Sequence, residues 1–214
     1  VTGDDIANLN DTDLRTLVAR LALAELHAQA CPSASVTAGG NQDAADGGLD
    51  VRVDCPSPLP APNFVPRALS GFQVKKPDMP ASEIRDEMRP DGILRPVIAE
   101  LAAASGAYII VSAQGSVADK PLADRRAAIR AQLDDLPDSI KLHTDFYDRD
   151  RLATWVNHYP GIAAWVRVRI GIGFSGWSSI GEWHGVGVSE VTPYLLDDKA
   201  CLTDERTSER EQLT

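Results

Sequence analysis

Five prolines, Pro56, Pro58, Pro60, Pro62 and Pro66, separate two short runs of alternating polarity. Proline fixes φ and carries no N–H, so this segment is excluded from helices and sheet interiors and reads as a stiff, extended connection. It either flanks a substrate groove or serves as an interaction arm. The runs it joins are strand-like. Leu49, Val51 and Val53 alternate with Asp50, Arg52 and Asp54, while Phe72 and Val74 alternate with Gln73 and Lys75. A period of two buries the valines, sends the Asp50 carboxylate to the opposite face, and sets Gln73 beside Lys75 on one face. If the runs pair, a carboxylate, an amide oxygen and an ammonium meet near the end of a sheet. Such a group suits a hard cation such as Mg²⁺, which is held by one or two carboxylates together with water and substrate phosphate. Lysine beside it positions an attacking water or stabilises charge on the phosphate.

The rest of the chain supports a mixed α/β sheet covered by helices. Residues 11–29 form the clearest helix, with Leu14, Leu17, Val18 and Leu21 at helical spacing and Asn10, Asp11 or Thr12 as N-cap. A short strand over 35–37 and a glycine-rich turn over 39–48 lead to Asp50, the glycines permitting positive φ and close approach to a ligand. Asp46 shapes this turn or contacts a metal, and the turn is favoured. Helical sequence over 81–105 is broken near Pro90 and again near Pro96. Ala107-Tyr108-Ile109-Ile110-Val111 then reads as a buried strand, 122–133 as an arginine-rich helix, 140–144 as another strand and 148–157 as a further helix. Helix followed by buried strand directly after Lys75 is the crossover of an α/β layer structure.

At this point the residues resemble a known family. Asp46-Gly47-Gly48-Leu49-Asp50 followed by Gln73-Val74-Lys75 resembles the core motif of the Mrr-like branch of the PD-(D/E)xK restriction-endonuclease superfamily, in which glutamine replaces the middle acid. The likeness covers roughly residues 11–165. It implies a restriction-endonuclease-like core and a Mg²⁺-dependent endodeoxyribonuclease, with Mn²⁺ as substitute. Asp50 and Gln73 would ligate the metal, with the Val74 carbonyl as a backbone ligand, and Lys75 would orient the attacking water. A first-helix glutamate often reaches the metal in the resembled nucleases. Glu25 is therefore the candidate third acidic participant, its alternative being an exposed helix glutamate. The pattern around Trp155, Val156-Asn157-His158-Tyr159-Pro160-Gly161 and Trp165 resembles nuclease-like modules at the N-terminus of bacterial antiviral STAND-type NTPases. That implies DNA as partner, further domains of a longer polypeptide, and homo-oligomerisation. On this reading 1–184 is the nuclease module, and 185–214 is a docking segment and linker.

Composition narrows the choice. The chain has 214 residues, 43% hydrophobic and 24% charged, enough for one sizeable core. A net charge of −10 argues against a surface that coats nucleic acid everywhere. The bases Lys75, Lys76, Arg85, Arg89, Arg95, Arg125, Arg126 and Arg130 nonetheless gather in the middle of the chain, so a local basic face is compatible with it. No apolar run is long enough to span a membrane, and a cytoplasmic protein is the expectation. Cys31, Cys55 and Cys201 form no CxxC pair and no disulfide framework.

Other signals carry little. Gly171-Ile172-Gly173-Phe174-Ser175-Gly176 matches GxGxxG but opens no helix and sits in no βαβ unit. His27, His143, His158 and His184 show no HExxH spacing. Two other classes stay open: a catalytically silent nuclease-like DNA-binding module, and a protein-interaction or autoinhibitory module favoured by the acidic total charge, the proline-rich segment and the tryptophan-rich end.

Overall fold

The computed structural model describes residues 1–31, 35–38, 48–115 and 118–172, which lie in one compact unit, Val1–Phe174. The boundary expected at 184, the segment 185–214 and most of the GxGxxG match lie outside the described residues. So do Asp46 and Cys201.

The elements run α1 (Gly3–Ala7), α2 (Asp11–Ala28), β1 (Ser35–Ala38), β2 (Val51–Asp54), β3 (Leu69–Lys75), α3 (Ala81–Met88), α4 (Pro96–Ala103), β4 (Ala107–Ser112), α5 (Asp119–Ala131), β5 (His143–Tyr147), α6 (Arg149–Asn157) and α7 (Pro160–Arg169). The five strands form one mixed sheet in the order β1-β2-β3-β4-β5. The β1–β2 and β2–β3 pairs are antiparallel, and β3, β4 and β5 run parallel. This is the α/β architecture expected, a mixed sheet flanked by helices.

The two parallel steps dictate where helices go, because a parallel connection needs a crossover and two crossovers stepping the same way cover the same face. Residues of α3, α4 and α5 pack accordingly with Tyr108, Ile110 and Phe146 on one face. Residues of α2, α6 and α7 pack with Val51, Val53, Phe72, Val74, Ile109 and Val111 on the other. All six β4 residues are buried, as a central parallel strand requires. Each fully buried Leu, Val, Ile or Phe contributes about 1.5–3 kcal/mol.

Local chemistry sets the boundaries. Asn10 caps α2 by accepting the Asp13 N–H at 2.8 Å, and Asp148 caps α6 by accepting the Arg151 N–H at 2.9 Å. Pro90 and Pro96 break the helical sequence as anticipated, leaving α3, a short 3₁₀ turn over Pro90–Gly92, and α4. The α1 helix has no apolar periodicity to announce it. It is fixed by a capping box at Thr2 and by an ion pair between Asp4 and Arg149 on α6 at 3.0 Å.

Three expectations need correction. The strand expected over 140–144 begins only at His143, because Ser139–Lys141 is a 3₁₀ turn that leaves Ile140 92% exposed, and the buried strand residues are Asp145, Phe146 and Tyr147. Leu49 does not share a face with Val51 and Val53 but joins the α3/α4 side. Gly71 makes the room, since a Cβ there would lie 2.7 Å from both Leu49 methyl carbons. The proline-rich connection is not a free arm at its far end. Phe64 and Val65 are buried, Phe64 stacks on Trp155 at 5.2 Å, and its carbonyl accepts the Tyr147 hydroxyl at 3.0 Å.

Candidate active site

The β2–β3 register places Val51 opposite Phe72, and one step further the Asp50 N–H donates to the Phe72 carbonyl at 3.0 Å. Asp50 therefore stands just before β2, across from Gln73. Its Oδ2 accepts the Val74 N–H at 2.7 Å, which fixes the carboxylate against the strand that carries Gln73 and Lys75. The contact shown by Val74 is thus through its N–H. Gln73 is 6% exposed, and its Oε1 has no hydrogen-bond partner among the described residues. Buried amide oxygens are nearly always paired, so an orphan beside a carboxylate is unusual.

Lys75 ends β3 on the same face as Gln73. Its Nζ meets Glu87 Oε2 at 2.8 Å, and Glu87 Oε1 meets Arg95 Nη2 at 2.9 Å. Glu87 lies in the last turn of α3, while Arg95 precedes α4 and also donates Nε–H to the Glu87 carbonyl at 2.6 Å. Packed beneath them, Tyr108 of β4 is fully buried, with a hydroxyl that has no partner among the described residues. Burial pushes that hydroxyl far above its ordinary pKa, with Glu87 and Asp50 adding to the shift and Arg95 opposing it. Asp50, Glu87, Arg95 and Tyr108 thus share one electrostatic neighbourhood. Gly48 closes it. Its φ is +90°, and a Cβ there would come within 2.9 Å of Arg95 Cδ, so side chains are excluded by backbone shape and by contact alike.

Of the residues singled out in the sequence, Asp50, Gln73, Val74 and Lys75 come together. Glu25 does not join them. The α2 residue beside Asp50 is Arg15, Nη1 to Oδ1 3.6 Å, and ten residues of helix carry Glu25 about 15 Å further along. Nor is Glu25 exposed. It is 4% exposed, its Oε1 accepts the Val65 N–H at 2.9 Å, and burial raises its pKa against the pull of that bond. Its role there is to tie the end of the proline-rich connection to α2.

Sequence reasoning missed Glu87, Tyr108 and Arg15, and counted Arg95 only among the bases gathered in the middle of the chain. Charged helix residues are usually solvated and a strand tyrosine is usually core, so none carries a spacing signal of its own. The usable clue was topological: the segment following the lysine strand must fold back over that strand's end.

The donor set can be tested against a Mg²⁺ ion. Among the described residues no group of three or more His, Cys, Asp or Glu side chains is placed to hold a metal. The Asp50 carboxylate with the orphan Gln73 amide oxygen across from it is nevertheless a donor pair of the kind taken by a cation that keeps water and takes phosphate as ligands. The residues fit. No protein-family model matches the chain, and no curated protein matches its sequence. No described helix is long and apolar enough to cross a membrane.

Proposed function

We propose that the chain is a metal-dependent DNA endonuclease domain of the restriction-endonuclease-like type, acting in bacterial anti-phage defence as the effector of a longer polypeptide. The observation that carries this reading is the meeting of Asp50, the unpartnered Gln73 Oε1 and Lys75 at the paired ends of β2 and β3.

Asp50 and Gln73 would hold Mg²⁺, with Mn²⁺ as substitute. The chemistry such an ion would supply there is Lewis-acid stabilisation of the scissile phosphate and a lowered pKa for bound water. Lys75 presents its ammonium beside that position and orients the attacking water. Glu87 fixes the direction of Lys75, and Arg95 fixes Glu87, so the ammonium is aimed rather than free on its long stem. Arg15 offsets the charge of Asp50 on the α2 side. Glutamine in place of a second acid leaves Asp50 as the one carboxylate of the proposed ligand set, so substrate phosphate would complete it.

A second reading rests on the Lys75–Glu87 pair. A lysine held by a carboxylate at 2.8 Å is also what a silent DNA-binding module would retain for structure. Nicking of supercoiled plasmid in Mg²⁺, Mn²⁺ or EDTA, by wild type and by Lys75→Ala, separates the two. Metal-dependent nicking that Lys75→Ala abolishes supports the nuclease. DNA binding with no nicking by the intact protein supports the silent module.

A further inference from the structure

The two carboxylate oxygens of Asp50 have different neighbours. Oδ2 accepts the Val74 N–H at 2.7 Å, while Arg15 Nη1 stands 3.6 Å from Oδ1. That distance is an ion-pair contact, too long for a hydrogen bond. A guanidinium carries five N–H donors, and those of Arg15 make no hydrogen bond among the described residues. The arginines that brace this fold are held differently. Arg95 and Arg125 each donate to a backbone carbonyl as well as to a carboxylate. The backbone under Arg15 is nonetheless fixed, because Leu14, Leu17 and Val18 of the same helix are fully buried. Its side chain is 22% exposed, so an open fork of donors stands on a rigid helix at the edge of the candidate site.

Charge makes this position consequential. Glu87 already pairs with both Lys75 and Arg95, at 2.8 and 2.9 Å. Arg15, Lys75 and Arg95 set against Asp50 and Glu87 leave the group with positive charge in excess. Asp50 Oδ1 and the orphan Gln73 Oε1 are the side-chain oxygens there that accept no hydrogen bond among the described residues, and so are the ones open to a cation. A cation on Oδ1 would lie within about 6 Å of Arg15 Nη1, given a Mg–O bond of about 2.1 Å. At that separation a divalent and a monovalent cation repel, even at the dielectric constant of water, by enough to weaken binding about tenfold. An anion shared between them reverses the sign. The anion that DNA brings is a phosphate diester, whose oxygens a guanidinium fork matches.

We propose that Arg15 holds a backbone phosphate of the DNA at this site and thereby makes metal binding depend on substrate. The inference rests on the nuclease reading of Asp50 and Gln73, and adds to it the order of loading. In the free chain Arg15 rests on Asp50 and disfavours a metal there. When DNA arrives, the guanidinium turns from Oδ1 to the phosphate and leaves the carboxylate to the metal. Coupling of this kind is reciprocal, so the cation tightens DNA binding by the factor by which DNA tightens cation binding.

The test reads binding rather than cleavage. Anisotropy of a short fluorescent DNA duplex with the 214-residue chain is measured in EDTA, in Mg²⁺ and in Ca²⁺ at one ionic strength, and calorimetry follows Mg²⁺ binding to the chain alone. In wild type the cations should tighten DNA binding about tenfold or more. Arg15→Gln should shrink that effect to about threefold or less, and should bind Mg²⁺ alone about tenfold more tightly than wild type. Arg15→Lys, which keeps the charge, should bind Mg²⁺ alone as weakly as wild type. The Tm of Arg15→Gln should match wild type, since a partly exposed pair with no hydrogen bond contributes little to stability. A cation effect that is lost in Asp50→Asn yet full-sized in Arg15→Gln, or Mg²⁺ bound no more tightly by Arg15→Gln than by wild type, would overturn the proposal and leave the nuclease reading standing. Absence of any cation effect on DNA binding in wild type would overturn both.

Discussion

The Asp50 carboxylate and the Val74 amide share a 2.7 Å hydrogen bond, so the acid proposed to hold the metal is also the partner of a strand N–H. Its two jobs separate by substitution. Asp50→Ala leaves that N–H without its acceptor and should cost about 1–3 kcal/mol of stability. Asp50→Asn keeps an acceptor oxygen and should unfold within about 1 kcal/mol of wild type. Metal-dependent nicking should vanish in both. Urea melts set beside plasmid assays distinguish them, and nicking that persists in Asp50→Asn would remove Asp50 from the chemistry.

Glu87→Gln offers a selective probe of Lys75. An amide oxygen still serves Arg95, while the amide NH₂ faces the ammonium and no longer attracts it. The rate of nicking at saturating DNA should fall about 10- to 100-fold through loss of aim, with KM for DNA nearly constant. A fall in affinity with an unchanged maximal rate would make Glu87 a DNA-surface residue instead.

Arg125 is a structural clamp on the segment that leads from β3 to α3. It donates to the Met79 carbonyl at 3.1 Å, grips both Asp78 carboxylate oxygens at 2.8 and 3.0 Å, and lies over the Phe146 ring. Arg125→Met should cost about 2–3 kcal/mol, since hydrogen bonds to a charged group are among the stronger ones. It should also loosen α3 and with it the Glu87–Lys75 alignment. Hydrogen exchange across 76–88 would show faster opening there than across α2 or α6.

The buried Glu25 gives the protein a definite pH response. Its folded pKa lies above the ordinary value of 4.5, with burial as the main cause. The folded state therefore holds a proton that the unfolded state has released. That contribution is complete below 4.5 and is lost as pH rises through the folded value. Glu25→Gln removes the response and keeps the acceptor for the Val65 N–H. Its Tm relative to wild type should rise from pH 4 to pH 7, and a difference that stays flat, or falls, would contradict the burial described for this carboxyl.

Much of this was legible because it is periodic. The apolar stripe of α2, the buried run of β4 and the alternation around Gln73 and Lys75 each belong to a single element, where spacing alone decides the face. What escaped belongs to relations between elements. The period of two put Leu49 with the valines, but a missing side chain at Gly71 let it cross over. A helix glutamate was expected at the site. The direction of α2 instead brought its N-terminal half there, with Arg15, and carried Glu25 away to Val65. Ile140 looked like a strand residue on hydrophobicity alone, yet the hydrogen bonds of β5 start at His143, which pairs with Ala107.

Strand order and chain order coincide across the sheet, so every strand pairs with the one that precedes it in the sequence. Growth is then possible by accretion. No strand has to be threaded between two already paired, and each new pairing closes only the loop just synthesised, which keeps the entropic barrier to assembly low. The β2–β3 pair beside which Asp50, Gln73 and Lys75 meet sits inside this order, flanked on both sides, so fraying at either rim of the sheet leaves the proposed site intact.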